Sequence, residues 1–427
     1  MANLHSLSRI GFGGYRVSAD SKEHYDALLY ALASGCNLID TSANYMNGES
    51  EKLIGKVLRQ NPQYDSFVMT KAGYIQGHNL IVLEDLNKRG LAKDDLVFLS
   101  DQRKYSIHPD FLNEQVELSC KRLQRKCIDG FLLHNPEYYF EQQESEISQE
   151  DYYVRIKRAF QFLEEKVSEG KIRYYGISSN TFPLSTLREN TTNLHKVLDA
   201  ADEVTSDSHF KLIQFPFNLV ENEAIKPLHG NSSLIELAKA RNVVTFSNRP
   251  LNANTDSGAL RIATYEEYIQ QLNEEDDWGV FYDSLKLIRS QLQKSKLDND
   301  VMDFTVIRYL NENWMKISTP EAVIQIFSEH FFPLLYQLYE GSVPEQDMRF
   351  HLKLYEYSLL YSKKSMTHKA IVLQREMIRK GIIGKDDTRS LPVIACETYI
   401  NSGIDHVLVG MRNTKYVDGL KTLFWPY

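Results

Sequence analysis

The sequence predicts an α/β fold, a (β/α)8 TIM barrel with a large helical insertion after strand seven. Three observations carry this expectation. Short apolar runs alternate with amphipathic helical stripes from residue 9 onward. Eight such strand–helix units result once a final pair near the C-terminus is counted with the rest, which favours a closed barrel over an open doubly wound sheet. The N-terminal GFGGY lacks the GxGxxG spacing of a dinucleotide-binding sheet, and Asp40 lies too far beyond those glycines for that fingerprint.

The units follow in order. Arg9–Tyr15 (RIGFGGY) reads as a Gly-rich strand that a backbone or ligand can approach closely. Tyr25, Leu28, Leu29 and Leu32 form a helical stripe ending near Gly35, a residue suited to a helix C-cap. Asn37–Thr41 is a short strand with Asp40 at its C-terminal end, and Tyr45 follows in a polar loop punctuated by Gly48. Phe67–Ala72 (FVMTKA) places Lys71 near the end of the next strand. Leu112, Val116, Cys120 and Leu123 make a helical face, and Ile128–Leu133 is a buried-type strand followed by His134-Asn135-Pro136. Tyr153, Ile156, Phe160, Leu163 and Val167 mark a helix closed by Gly170, and Ile172–Ile177 runs into Ser178-Ser179-Asn180. Leu212–Phe217 holds Gln214. Ile235, Leu237 and Ala238 lie on the next helix, and the strand Val243–Phe246 ends before Asn248-Arg249-Pro250-Leu251. Far downstream, Val393–Ile400 reads as helix, His406–Val409 as strand and Thr414–Phe424 as a last helix. The expected barrel domain is therefore 1–255 with 391–427, interrupted by a helical subdomain at 256–390.

Composition narrows the function class. An apolar fraction of 42% and a charged fraction of 25% suit a globular protein, and a formal charge of −8 disfavours nucleic acid or an anionic membrane as partner. The sequence shows no 18-residue apolar run and no secretory pattern at MANLHSLSRIGF, so a cytoplasmic location is expected. The four cysteines lack metal-site spacing, and no metal is expected.

In a (β/α)8 barrel, chemistry gathers on the loops after the strands. Asp40, Tyr45, Lys71 and His134 all follow or end strands two to four, which would bring them to one rim. Singly, a loop tyrosine or a lone lysine is usually packing or a solvated face. Four together at one rim point to a site.

The motifs DTSANY with GESEKLIG, VMTKAG, LLHNPE, YGISSN, IQFPFN and LVGMRNTKYVD resemble the aldo-keto reductases. The resemblance covers about 4–255 and 391–424. It implies Tyr45 as the acid/base, Asp40 and Lys71 as its supporting ion pair, and His134 as the histidine that orients a carbonyl. The chemistry suits these residue types. Reducing a carbonyl by hydride leaves charge on oxygen, so a proton donor must stand there. Lys71 is expected to lower the phenol's pKa, Asp40 to hold Lys71 charged, and His134 to donate to the same oxygen.

The hydride requires a cofactor, which the resemblance implies is NADP(H). It would be held by Gly14, Tyr15, Asp40, Ser178, Ser179, Gln214, Asn248, Arg412, Asn413 and Tyr416. Ser178, Ser179 and Gln214 match positions that bind the nicotinamide amide, with Ser179 where the family usually has Asn. Asn248 stands where many members stack an aromatic, and Gly419-Leu420 replaces a late Glu-Asn pair near the adenine. Arg412 is expected to meet a 2′-phosphate.

The leading expectation is thus an NADP(H)-dependent reductase of an aldehyde, ketone or sugar. The alternative is a nicotinamide-binding sensor or regulatory subunit that uses the insertion to bind a protein partner. Within the insertion, Phe281, Leu285, Ile288 and Leu292 make one stripe, and Val323, Phe327, Phe331, Leu334 and Leu338 another, which Pro333 is expected to bend or break. Ala370–Lys380 is expected to be a further helix, and the acidic run after strand four a solvated loop.

Overall fold

The computed structural model describes residues 4, 6–88, 95–141, 147–184, 188, 190–227, 231–255, 258–265, 277–294 and 304–426. The chain divides into two compact units, residues 1–251 with 392–427, and residues 252–391.

The first unit is a closed barrel of eight parallel strands: β1 (Ile10–Gly13), β2 (Leu38–Asp40), β3 (Phe67–Ala72), β7 (Ile128–His134), β8 (Ile172–Ser178), β9 (Phe210–Pro216), β10 (Val244–Asn248) and β13 (His406–Val409). Each strand pairs with its neighbours in the chain, and β1 closes the ring against β13 through Ile10–Val407 and Phe12–Val409. The barrel core is formed by Leu38, Phe67, Met69, Leu132, Leu212, Phe246 and Leu408, joined by Leu4 and Leu7 from the segment before β1. Burial on both faces explains why these strands read as continuous apolar runs rather than alternating ones.

Between the strands run α1 (Lys22–Ala33), α2 (Glu49–Gln60), α3 (Asn79–Lys88), α4 (Pro109–Leu123), α5 (Gln149–Ser168), α6 (Leu194–Val204) and α7 (Leu234–Ala240). Side-chain caps set the starts of α1, α5, α6 and α7: Ser21, Ser148 and Asn193 accept from first-turn amides, and Ser233 with Glu236 forms a capping box. The GESEKLIG run becomes α2, where each motif residue has a packing reason. Ser50 Oγ donates to Gly14 O at 2.8 Å, and the buried Glu51 accepts from Thr70 Oγ1 at 2.6 Å while pairing with Arg122. A Cβ at Gly55 would lie 2.5 Å from Arg122 O, so α2 needs glycine there to pack against the end of α4.

Sequence reading missed one feature of this unit. After β3, the chain forms a three-stranded antiparallel sheet from β4 (Tyr74–Gln76), β5 (Val97–Ser100) and β6 (Arg103–Tyr105), in the order β4-β6-β5. These strands are three or four residues long and lack the periodicity that would reveal them.

The second unit opens with the hairpin β11 (Asn252–Thr255) and β12 (Gly258–Arg261), then is helical: Asp277–Lys294, Thr305–Asn313, Pro320–Ile326, Phe332–Leu338 and the long Glu345–Arg379. Its own core contains Phe281, Leu285, Ile288, Leu292, Trp314, Val323, Phe327, Phe331 and Leu354. Both expected stripes are therefore core. Pro333 does not break the second stripe. It sits in the first turn of Phe332–Leu338, after a π-helical turn at Phe327–Phe331 that widens the helix. The last expected helix proves to be the end of a 35-residue one, which stops before Gly381 at φ 71°. Part of the acidic run, residues 142–146, lies outside the described residues.

Candidate active site

Barrel register sets the positions of the site residues. Gly13 pairs with Asp40, His134 with Ser178, and Ser178 with Gln214, so residues far apart in sequence end their strands at neighbouring points of one rim. Lys71 is fully buried at the centre of this group. Its Nζ lies 2.7 Å from Asp40 Oδ1 and donates to Thr41 O at 2.8 Å and to Tyr45 Oη at 3.2 Å. The ammonium therefore has three acceptors, as its three hydrogens require. Asp40 also accepts from Gln214 Nε2 at 2.9 Å. Gln214 Oε1 in turn accepts from Ser178 Oγ at 3.0 Å and from Asn248 Nδ2 at 3.4 Å. Three of the four residues singled out for catalysis, Tyr45, Lys71 and Asp40, and most of those singled out for the nicotinamide end are thus joined in one hydrogen-bonded chain from Asn248 to Tyr45.

His134 stands beside this chain. Its ring meets Tyr45 edge-on at 6.0 Å and Tyr74 edge-on at 4.8 Å. Tyr15, 61% exposed, presents its ring to Tyr45 at 5.1 Å. Gly14 donates its N–H to Asp40 O at 2.7 Å, and a Cβ on it would lie 2.6 Å from Ser50 Oγ, so glycine is required for that approach.

Electrostatics departs from the sequence expectation in one respect. The phenol of Tyr45 is not lowered by Lys71: burial first, then the charge of Asp40 and the nearby Tyr74 and Tyr15, push it well above the ordinary phenol range. In this environment Tyr45 keeps its proton. Burial pushes Asp40 up and Lys71 down, and each opposes the other's shift through their ion pair. Burial, then the Lys71 charge, holds His134 well below the usual imidazole range, so its ring is neutral near pH 7.

Other expected residues lie differently. Ser179 turns from the chain: its hydroxyl contacts Thr181 Oγ1 at 3.0 Å and Thr192 Oγ1 at 3.1 Å. Asn413 caps the helix Thr414–Leu420 by accepting from Tyr416 N at 3.0 Å. Arg412 is half-buried close enough to His24 for its charge to add to burial in lowering that imidazole, and Tyr416 is 40% exposed. Among the described residues, no hydrogen bond ties these last three to the chain that ends at Tyr45.

The structure adds residues that sequence reading passed over. Asn135, at φ 55°, donates through Nδ2 to Tyr74 Oη at 2.7 Å. Asn135 N donates to Ser178 O at 2.6 Å, and Glu137 Oε1 accepts from Asn180 N at 2.7 Å, so two hydrogen bonds staple the turn after β7 to the turn after β8. Ser42 touches His134 Nδ1 at 3.1 Å. Ser42, Asn135 and Glu137 all lie inside the quoted motifs, but only barrel closure reveals their partners.

The polar atoms at this rim fit a nicotinamide carboxamide. Asn248 Oδ1 and Ser247 Oγ are buried with no hydrogen-bond partner among the described residues. Asn248 ends β10 beside the Ser178–Gln214 pair, on the opposite face of the strand from Ser247, and its unpartnered oxygen can accept from a carboxamide N–H.

This fold and site define a closed eight-stranded parallel barrel with a buried lysine–aspartate pair at one rim. The profile of the Aldo/keto reductase family matches residues 9–297, and the chain belongs to that family. It is 27% identical over 182 residues to the NADH-specific methylglyoxal reductase of Escherichia coli, which covers 41% of this chain and 49% of that protein. It is 24% identical over 267 residues to the aldo-keto reductase YhdN of Bacillus subtilis, covering 61% of this chain and 62% of that one. With the D-threo-aldose 1-dehydrogenase of a Pseudomonas species it shares 26% identity over 181 residues, 41% of this chain and 50% of the relative. The chain thus spans about half to three-fifths of the length of these relatives. Its fold is like that of the glycerol dehydrogenase from Gluconobacter oxydans, with a TM-score of 0.50 and 17% identity over 99% of this chain and 88% of that one. Among the described residues, no helix is long and apolar enough to cross a membrane.

Proposed function

We propose that the chain is an NADP(H)-dependent reductase of small carbonyl compounds, aldehydes, ketones or sugars, with Tyr45 as its proton donor. The observation that carries this reading is the buried ion pair of Lys71 and Asp40, whose ammonium donates to Tyr45 Oη at 3.2 Å. A buried charge pair is stabilising only when its remaining hydrogen bonds are satisfied, and here one of them is spent on a phenol at a rim.

The residues act as follows. When bound, the reduced nicotinamide supplies two electrons and a hydrogen to the carbonyl carbon. Ser178, Gln214 and Asn248 would hold its carboxamide. Tyr45 Oη gives its proton to the carbonyl oxygen as charge develops there, and Lys71 stabilises the resulting phenolate. Asp40 and Thr41 O keep Lys71 in place, with Gln214 Nε2 donating to the same Asp40 oxygen that faces Lys71. His134, neutral at working pH, offers an N–H to the same oxygen. Arg412 supplies a cation for a 2′-phosphate, which favours NADP(H) over NAD(H). The rings of Tyr45 and Tyr74 against His134, with Tyr15 packed on Tyr45, suit a compact, uncharged substrate. The relatives named for methylglyoxal and for an aldose point to the same carbonyl and sugar classes.

Titration with NADPH and NADH, read by quenching of protein fluorescence, followed by a panel including methylglyoxal and aldoses, tests the reading. Tighter binding of NADPH with its oxidation by a panel compound is expected. Binding without turnover on any of them would favour the regulatory alternative, and failure to bind either nucleotide would overturn the cofactor assignment.

A further inference from the structure

A neutral imidazole donates from one nitrogen only, so the role of His134 depends on which nitrogen carries its hydrogen. Nδ1 lies 3.1 Å from Ser42 Oγ, a hydroxyl that is fully buried. Ser42 has one hydrogen and three acceptors within reach: Asn44 Oδ1 at 2.6 Å, Lys71 O at 3.1 Å and His134 Nδ1. Lys71 O already accepts from Ala43 N at 3.0 Å.

Since a carbonyl oxygen can accept twice, Ser42 donates either away from the imidazole, to Asn44 or Lys71 O, or to His134 Nδ1, and two classes of wiring are self-consistent. In one, Ser42 donates to the Asn44 carbonyl or to Lys71 O, His134 donates from Nδ1 to Ser42, and Nε2 is left as a bare acceptor. In the other, the half-exposed Asn44 amide is turned by 180° so that its nitrogen donates to Ser42. Ser42 then donates to Nδ1, and Nε2 carries the hydrogen. Only the second wiring lets His134 and Tyr45 present hydrogens to one oxygen.

We propose that Ser42 sets the tautomer of His134, delivering its hydroxyl hydrogen to Nδ1 so that Nε2 bears the hydrogen offered to the substrate carbonyl, with Asn44 donating to Ser42. This rests on the reading of His134 as a carbonyl-orienting donor. Ser42 is a positioning residue in this arrangement: it acts through His134. Asn44 is the element that can be reset, because an amide can either donate or accept while a carboxylate can only accept.

The test is the long-range 1H–15N correlation spectrum of His134, recorded at pH 8 on the full chain with selectively labelled histidine, for wild type, Ser42→Ala and Asn44→Asp. Wild type is expected to show a pyridine-type Nδ1 and a pyrrole-type Nε2. Asn44→Asp should draw the Ser42 hydrogen to residue 44 and reverse the pattern, and Ser42→Ala should leave a mixture of tautomers. Reduction of the best panel compound with NADPH should fall about tenfold in kcat in both variants, with the NADPH Kd unchanged. A pyrrole-type Nδ1 in wild type, or a pattern unmoved by both substitutions, would overturn the proposal. The spectrum is read without turnover. The expected pattern in a protein that reduces no carbonyl would therefore contradict the reductase reading while supporting control of the tautomer by Ser42.

Discussion

Glu137 is a buried carboxyl group whose Oε1 accepts from Asn180 N and whose Oε2 has no hydrogen-bond partner among the described residues. Burial pushes it up to about 7, opposed by hydrogen bonds from its own backbone amide, from Asn180 N and from Ser179, and aided by the charge of Glu141. The other titratable groups that face it are the phenols of Tyr74, Tyr105 and Tyr152 on β4, β6 and α5. Between the unfolded carboxyl value and about 7, the folded state holds a proton that the unfolded state has released. Stability contributed by the neutral acid is therefore fully present below the unfolded value and is lost as pH rises through about 7. Glu137→Gln keeps the acceptor for Asn180 and removes the titration. Relative to wild type, it should gain up to about 3 kcal/mol between pH 4.5 and pH 8, and thermal melts of both proteins across that range would measure the gain. Parallel Tm–pH curves would contradict it. At this scale, the legible residues were those whose type is itself unusual: a lysine inside an apolar strand, an acid ending one, a histidine at the end of another. Glu137 and Ser42 were not legible, because each acts on a partner 43 or 92 residues away that register alone supplies. The expected lowering of Tyr45 failed for a related reason: spacing shows the cation, but not the depth of burial that outweighs it.

Among the elements, α2 shows how a motif can be structural and serve the site at once. Glu51 on this helix binds Thr70, the residue before Lys71, and Gly55 allows the helix to touch the end of α4. Gly55→Ala would put a methyl group within 2.7 Å of Leu123 C as well as near Arg122 O, both backbone atoms that cannot turn aside. We expect a loss of about 2–4 kcal/mol, measurable by urea unfolding with the m-value unchanged. A loss under about 0.5 kcal/mol would show that α2 can shift freely. The eight barrel strands were legible because each is an apolar run buried on both faces. The β4-β6-β5 sheet and the β11–β12 hairpin were not, since strands this short carry little pattern. Pro333 misled because a proline in a first helical turn has no amide to lose.

Across the whole molecule, each compact unit has a hydrophobic core of its own. The first compact unit breaks after Leu251, ahead of the expected boundary at residue 255, because Asn252–Thr255 pairs with Gly258–Arg261 instead of extending the barrel. Phe327, fully buried against Phe331, Phe332 and Tyr355, anchors the second core. Phe327→Ala should destabilise that unit by about 3–5 kcal/mol, seen as lost amide-exchange protection in the helices between Thr305 and Arg379. Unchanged protection there would mean that this ring is not a keystone of the core. The family, the barrel and the rim that carries Lys71 were readable from motifs spread across the first unit. The substrate was not, because loops rather than the barrel select it. The most direct test of the central claim compares Tyr45→Phe with wild type, using NADPH binding and steady-state reduction of the best carbonyl substrate. The account predicts a kcat lower by about 10²–10⁴-fold with the NADPH Kd within about twofold of wild type. An unchanged kcat would contradict it, because no phenol proton would then be needed.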